Sequence, residues 1–156
     1  MAKVQDDIKV KGMFRVKITE DGKVVGDSGW KKNLVVNLGF NNIVNLLGTS
    51  LTGSKLSHMA VGTGAAPGAT DTTLSGEQSV RAALIAATSS SSKTLRCTAT
   101  FDSTASFVTA TKNLSNIALC CTSTAGAATI LAGNTYASSA VATNQNVNAT
   151  YDVLLA

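Results

Sequence analysis

The chain has 156 residues, enough for one domain that buries roughly 70% of the surface exposed by its unfolded form, so neither a metal nor a disulfide framework is needed to hold a core. Only 14% of the residues are charged, against about 25% in an average globular domain, and the net charge is +4. With seven aromatic residues the chain lacks the interleaved rings on which nucleic-acid bases stack, so nucleic-acid binding is disfavoured.

The charges are unevenly placed along the chain. Residues 1–32 carry eight Lys or Arg and five Asp or Glu residues, and residues 33–156 are rich in Ala, Ser, Thr and Val. A surface so poor in charge is weakly solvated, so we expect it to contact other copies of the chain or other proteins. The alternative is a monomer with a polar Ser/Thr/Asn surface.

The first predicted element is a β-hairpin over residues 9–32. Apolar and basic side chains alternate in "KVKGMFRVKIT", which is typical of a half-buried strand, and Asp21-Gly22 is suited to a tight turn before "VVGDSGW" returns. The apolar face holds Val10, Phe14, Val16 and Ile18. The basic face and the end of the hairpin form the predicted docking face, defined as Lys9, Lys11, Arg15, Lys17 and Trp30. Alternatively, the lysines serve solubility and protect an edge strand from mispairing.

A short amphipathic helix comes next. Phe40, Ile43, Val44 and Leu47 stand at i, i+3, i+4 and i+7, the spacing of an apolar stripe that packs on a core. We expect Asn37 to cap its start and Gly48 to mark its end.

The remaining chain predicts short strands separated by turns. "LSHMAVG" is a strand, residues 62–79 are a long loop, and "VRAALIAAT" fits a strand or a helix before the turn "SSSS". In the long loop we expect Gly62 and Gly64 to let the chain leave the strand sharply, because glycine tolerates positive φ, Pro67 to stiffen the surface loop, and Leu74 to turn back toward the core. The strand "TLRCTATF" places Leu95, Cys97, Ala99 and Phe101 on one face. Further strands are predicted at "SFVTATK", "NIALCC", "TILA", "YASSAVA" and "VNATYDVLLA". The last of these strands places Val147, Ala149, Tyr151, Val153 and Leu155 on one face. Eight or nine short strands with one helix predict a single all-β domain over residues 1–156, a β-sandwich or jelly-roll-like barrel.

The three cysteines do not form a recognisable framework. Cys97, Cys120 and Cys121 are odd in number and lack C-x-x-C spacing, so we expect buried free thiols, with at most one of Cys120 and Cys121 joining Cys97 in the core. The N-terminal residues are polar and no apolar run is long enough to span a membrane, so we expect synthesis in a reducing cytoplasm.

No motif in the chain supports catalysis. The glycines from Gly62 to Gly68 are misspaced for a dinucleotide fingerprint, and in "GTSLTGSK" the serine and lysine of a P-loop are transposed. His58 is the only histidine, Asp71 and Glu77 are isolated, and no G-x-S-x-G elbow is present. We therefore expect no catalytic residue, no cofactor and no metal site.

Several segments in order resemble small structural proteins of tailed bacteriophages, of the tail, tail-fibre or capsid-associated kind. They are "NLVVNLGFNNIVNLL", "HMAVGTGAAPGATDTTLSGE" followed by Arg81, "LRCTATF", "NIALCCTSTAGAATILAG" and "VNATYDVLLA". The chain matches the pattern of that group at residues 33–39, 61–64 and 71–77. It departs from the pattern at Asn116, where the group has an acid, and at Ala118, where the group has a glycine. The resemblance implies a β-rich virion component, present in many copies and without catalysis.

The resulting hypothesis is a non-enzymatic virion protein, assembled in the host cytoplasm. It forms a homo-oligomer and docks on a major capsid or tail protein, as a capsid decoration or as a tail or fibre component. The alternatives are a small hydrolase with His58 beside a reactive serine, and a nucleic-acid-binding domain.

Overall fold

The computed structural model describes residues 9–48, 55–89 and 93–155. These residues form two antiparallel β-sheets with one α-helix, which confirms the all-β prediction. The strands are β1 (Val10–Glu20), β2 (Lys23–Asp27), β3 (Lys31–Lys32), β4 (Leu34–Val35), β5 (His58–Gly62), β6 (Ala82–Ala83), β7 (Ile85–Ser89), β8 (Thr94–Phe101), β9 (Lys112–Cys120), β10 (Ile130–Val141) and β11 (Asn146–Leu155). The α-helix α1 covers Asn37–Gly48, and a 3-10 turn covers Ser103–Ala105.

Each of the two sheets contains strands that lie far apart in the sequence. Sheet I has the order β2-β1-β11-β8-β7, with β3 also paired to β1, and sheet II has the order β4-β10-β9-β5-β6. Strand β1 pairs along its length with β11, from Val10 opposite Leu155 to Thr19 opposite Asn146. The charged hairpin is therefore an integral part of sheet I.

The predicted β1–β2 hairpin is confirmed. Asp21 and Gly22 connect the strands with φ values of 47° and 76°, the positive values that a two-residue type I′ turn requires. The pairing shifts register between Ile18 and Thr19, which is a β-bulge on the edge strand.

The main core lies between the two sheets. The predicted inward-facing residues of β1, β8 and β11 contribute Phe14, Val16, Ile18, Cys97, Ala99, Phe101, Val147, Ala149 and Tyr151. The Phe14 ring stacks on Tyr151 with centroids 5.8 Å apart and meets Tyr136 edge-on at 6.1 Å. Alternation with a period of two was therefore a correct guide for these strands.

A second core covers the outer face of sheet II. It consists of Val36, Ala60, Leu74, Ala118, Cys120 and Ile130. Because both faces of the second half of β9 are covered, its residues from Asn116 to Cys120 are all buried, and no face of that half is exposed to solvent.

The predicted helix exists, but only part of its predicted apolar stripe is covered, since Ile43 is half-buried and two other members of the stripe are exposed. Val44 is 66% exposed and Phe40 is also exposed, whereas Val36 and Gly39 are buried. A Cβ on Gly39 would lie 2.2 Å from the Leu131 carbonyl oxygen, so glycine allows the helix to contact β10 closely there. The helix therefore packs through its first turn and exposes part of the stripe.

The boundaries of α1 also differ from the prediction. The Val36 carbonyl accepts hydrogen bonds from the amides of Gly39 and Phe40, so Val36 precedes the helix and Asn37 is its first residue. The predicted end at Gly48 is confirmed, and the predicted inward position of Leu47 lies outside the described side chains.

Three of the strand predictions change. "SFVTATK" is not a strand: Ser106 has a φ of 52° after the 3-10 turn, and the adjacent residues Phe107 and Val108 are both buried. "TILA" and "YASSAVA" belong to one strand, β10, whose pairing with β9 shifts register between Thr135 and Ser139. The ambiguous segment "VRAALIAAT" forms β6 and β7. Of the predicted "SSSS" turn, Ser89 ends β7 and residues 90–92 lie outside the described residues.

Candidate functional site

Part of the predicted docking face forms a polar cleft on the outer face of sheet I. Arg15 and Lys17 of β1 line this cleft together with Trp30, which lies between β2 and β3 and is 41% exposed. Lys9 and Lys11 are exposed near the start of β1 and do not line the cleft. The structure thus brings together three of the five predicted residues.

Four residues of the cleft were absent from the sequence prediction. They are Arg96, Thr98, Asn148 and Thr150, and the cleft volume is about 280 Å³. The alternation in "TLRCTATF" does place Arg96 and Thr98 on the solvent face of β8. Their proximity to β1 depends on strand order, because β11 lies between β1 and β8.

The floor of the cleft is set by the strand register. Arg15, Thr150 and Thr98 lie in one row across β1, β11 and β8. Asn148 is in the next row, where its Nδ2 donates to Thr19 Oγ1 and its Oδ1 accepts from the Thr100 hydroxyl. These contacts hold the Asn148 amide in one orientation.

Two ion pairs hold the arginines of the cleft. Nε and Nη2 of Arg15 donate to Asp27 at 2.9 and 2.5 Å, and the same atoms of Arg96 donate to Asp152 at 2.8 and 2.7 Å. The Arg96 guanidinium also lies 6.0 Å from the centroid of the Trp30 ring, within range of a cation–π interaction. The hydrogen bonds from Arg15 and from the Gly29 amide hold the pKa of Asp27 well below its usual range. The carboxylate therefore stays ionised at any moderate pH.

The glycine-rich segment after β5 folds back onto sheet II. The amides of Thr63 and Gly64 donate to the carbonyls of Gly76 and Ser75, both at 3.1 Å. Asn116 of β9 fastens the same loop, because its Nδ2 donates to the carbonyl oxygens of Ala65 and Ser75 at 3.0 and 2.9 Å. This segment is a packed structural loop, with Leu74 buried beneath it as predicted.

The glycines of this loop are needed for space. We expected Gly62 and Gly64 to adopt positive φ, but the residue of this loop that does so is Gly76. A Cβ on Gly64 would lie 2.5 Å from the Ser75 carbonyl oxygen, and one on Gly62 would lie 2.8 Å from it. Glycine is therefore required at these positions because two backbone segments approach closely, and the prediction that the glycines provide a sharp exit from the strand through positive φ is wrong. Pro67, predicted on the surface of the loop, is buried.

Arg81 joins this loop to the β9–β10 connection. Its side chain is fully buried and pairs with Glu77 through two hydrogen bonds, of 2.5 and 3.1 Å. The remaining guanidinium hydrogens reach the connection at the Thr129 hydroxyl (2.8 Å), the Ala127 carbonyl (3.0 Å) and both oxygens of Thr122 (3.2 Å). The guanidinium group of Arg81 is thus fully engaged in contacts that hold the fold.

The arrangement around His58 is not that of a serine hydrolase. Its Nδ1 lies 2.9 Å from the hydroxyl of Ser57, its neighbour in the chain. Burial lowers the pKa of His58, and the Arg81 charge lowers it further. A catalytic histidine is oriented and made more basic by a carboxylate, whereas the charge acting here is positive.

Two of the three thiols, Cys97 and Cys120, are buried, in different places, whereas Cys121, also expected to be buried, is half-buried. Cys97 lies between the sheets and Cys120 lies in the second core, so neither Cys120 nor Cys121 joins Cys97. Burial raises the pKa of Cys97 to about 11 and that of Cys120 to about 12, and such thiols are poor nucleophiles. Within the described ranges, no group of three or more His, Cys, Asp or Glu residues is placed to hold a metal ion. No helix in that part of the chain is long and apolar enough to span a membrane.

Large apolar side chains are exposed at several places on the described surface. They include Met13, Val24, Val25, Trp30, Leu34, Phe40, Val44, Ile85 and Leu155. An apolar cavity of about 580 Å³ opens at the end of the sandwich beside α1. Its lining includes Val10, Val35, Ile43, Leu56, Leu95, Leu119, Leu131 and Val153.

Comparison of the chain with protein-family models, with curated proteins and with solved structures gives no match.

Proposed function

We propose that the chain is a non-enzymatic structural component of a tailed-phage virion that self-associates and docks on the particle. The observation that carries the proposal is the exposure of large apolar side chains on α1, where Phe40 and Val44 lie one turn apart. Neighbouring exposed apolar residues on a folded domain are typical of an association surface. The resemblance of the sequence to small phage structural proteins supplies the virion context.

The use of the polar groups in the structure supports a role without catalysis. Arg81, Glu77 and Asn116 are engaged in fastening the loop to sheet II. These buried polar groups are thus used to hold the fold. Function through surface contacts is therefore the interpretation that fits these residues.

Self-association is tested by removing the exposed apolar pair on α1. We expect the double variant Phe40→Ser, Val44→Ser to sediment as a smaller species than the wild type in analytical ultracentrifugation. The matched control is Val24→Ser, Val25→Ser, which removes two exposed valines from β2. A wild type that is monomeric at every concentration would contradict the association surface.

Docking on the particle is tested separately by charge reversal. Deleting residues 1–32 would remove β1 and its buried residues, so point variants are the cleaner choice. We expect Lys11→Glu with Lys17→Glu to lower the amount of protein recovered with purified particles, whereas Lys112→Glu on β9 leaves it unchanged. Equal recovery of both variants would exclude the docking face. A copy number close to that of the shell protein favours capsid decoration, and a much lower number favours the tail.

A further inference from the structure

The cleft on sheet I contains hydrogen-bond donors that no described residue engages. Arg15 and Arg96 each bind their aspartate through Nε and Nη2, and no described residue accepts a hydrogen bond from their Nη1 atoms. Because each guanidinium is held by two bonds, its remaining nitrogen is fixed in place before a ligand arrives. Lys17 adds a third cation to the same cleft.

The floor of the cleft offers side-chain groups but no backbone groups. Strand β11 is hydrogen-bonded to β1 on one side and to β8 on the other, so its backbone groups are engaged in the sheet. A ligand on this face meets the hydroxyl of Thr150, the hydroxyl of Thr98, which donates to the Ile85 carbonyl at 3.4 Å and can still accept, and the fixed amide of Asn148. Such groups both donate and accept hydrogen bonds, as the hydroxyls of a sugar require.

Trp30 gives the cleft an aromatic wall. Its indole is partly exposed, and the Arg96 guanidinium lies over one face of the ring, so a ligand has the remaining exposed part of the indole to contact. The negative face of an aromatic ring attracts the slightly positive C–H groups on one face of a sugar ring.

The net charge of the groups in and around the cleft indicates which ligand charge is complementary to it. The cations Arg15, Lys17 and Arg96 exceed by one the carboxylates of Asp27 and Asp152 that pair with them. The volume of about 280 Å³ is at the small end of ligand pockets and is suited to one ring. The complementary ligand is small, rich in hydroxyls and carries one negative charge.

We propose that the cleft binds a sugar ring bearing one carboxylate, as found in the uronic acid units of acidic glycans. An acidic peptide is less suited, because peptides on sheets are held mainly through backbone hydrogen bonds at an edge, and this cleft is at the centre of a face. The cleft shares Arg15, Lys17 and Trp30 with the predicted docking face, but glycan binding is measured on the isolated domain and requires no phage particle.

The fluorescence of Trp30 provides a direct test, because Trp30 is the only tryptophan of the chain. The purified full chain is titrated with a galacturonic acid trisaccharide, with its methyl ester, which keeps the rings and removes the charge, and with triglutamate. We expect saturable changes in Trp30 emission with the acid alone. Lys17→Gln should weaken binding about tenfold and Thr150→Val about threefold, in line with the loss of one charged and one neutral hydrogen bond. Lys112→Gln, a lysine of sheet II, should bind as the wild type does.

Three outcomes would overturn the proposal. They are no change in emission with the acidic trisaccharide, equal binding of triglutamate, and an equal loss of affinity in Lys17→Gln and Lys112→Gln. Absence of the protein from phage particles would leave this result unaffected, so the glycan site and the virion role fail independently.

Discussion

The outer faces of the two sheets use the same residue types in opposite ways. On sheet I, Arg15 and Arg96 form ion pairs at the surface, where their side chains are 34% and 55% exposed. On sheet II, a loop and the start of α1 cover the face, and the side chain of Arg81 is fully buried against Glu77. Surface ion pairs contribute little to stability because water screens them, whereas breaking a buried pair leaves a charge without compensation. We therefore expect sheet II to carry the stability and sheet I to be available for binding.

The largest effect is expected from removing the buried arginine, Arg81. Arg81→Ala leaves the Glu77 carboxylate in a buried position without its partner, and we expect the free energy of unfolding to fall by about 3–5 kcal/mol. Urea unfolding followed by circular dichroism measures the change. In the matched variant Arg96→Ala, the unfolding midpoint should stay within experimental error, and similar losses in the two variants would refute the comparison.

The loop that covers sheet II is tested at its closest contact. Gly64→Ala introduces a Cβ 2.5 Å from the Ser75 carbonyl oxygen, so we expect a loss of about 2–3 kcal/mol from overpacking. Gly68 lies in the same loop, and a Cβ there would have its nearest neighbour at 3.7 Å. Gly68→Ala should consequently unfold at the same denaturant concentration as the wild type. If Gly64→Ala is equally stable, the loop does not pack on sheet II as described.

The role of α1 in the cover is tested with two valines. Val36 is fully buried in the second core, and truncating it to alanine should cost about 2 kcal/mol through lost burial and the cavity that remains. Val44 is exposed, so Val44→Ala should have no measurable effect on thermal unfolding of the isolated domain. If Val44→Ala were more destabilising than Val36→Ala, the helix would instead be oriented as the sequence pattern predicts, with Val44 facing the core.

The smallest effect concerns alkaline pH. Burial raises the pKa of Cys120 from 9.0 to about 12, so the unfolded chain releases this proton at a lower pH than the folded chain does. The stabilisation from the protonated thiol is complete below pH 9 and is lost as the pH rises towards 12, by at most about 1.4 kcal/mol per pH unit. Unfolding free energies measured at pH 8, 9 and 10 should fall, and Cys120→Ala should make the decline less steep without removing it, because burial also raises the pKa values of Cys97 and Cys121. An unchanged slope in that variant would show that Cys120 is not the titrating group.

Local patterns in the sequence were sufficient to predict the inward faces of three strands of sheet I and its hairpin turn. Alternation predicted the inward faces of β1, β8 and β11, and Asp21-Gly22 predicted the hairpin turn, because period and turn chemistry depend on neighbouring residues. The same reasoning failed at "SFVTATK", where Phe107 and Val108 are buried side by side. It also failed on α1, where contact with β10 at Gly39 decided which side of the helix is covered.

The sequence by itself determined that the chain is β-rich, that one face of β1 is basic, and that Trp30 lies near the end of the first hairpin. Only the tertiary structure decided that Arg96 and Thr150 complete a cleft around Trp30, and that Arg81 is buried against residues more than forty positions away. The physical reason is that strand order and the covering of a second sheet face depend on contacts between distant segments. A repeating pattern within one strand carries no information about which strand lies beside it.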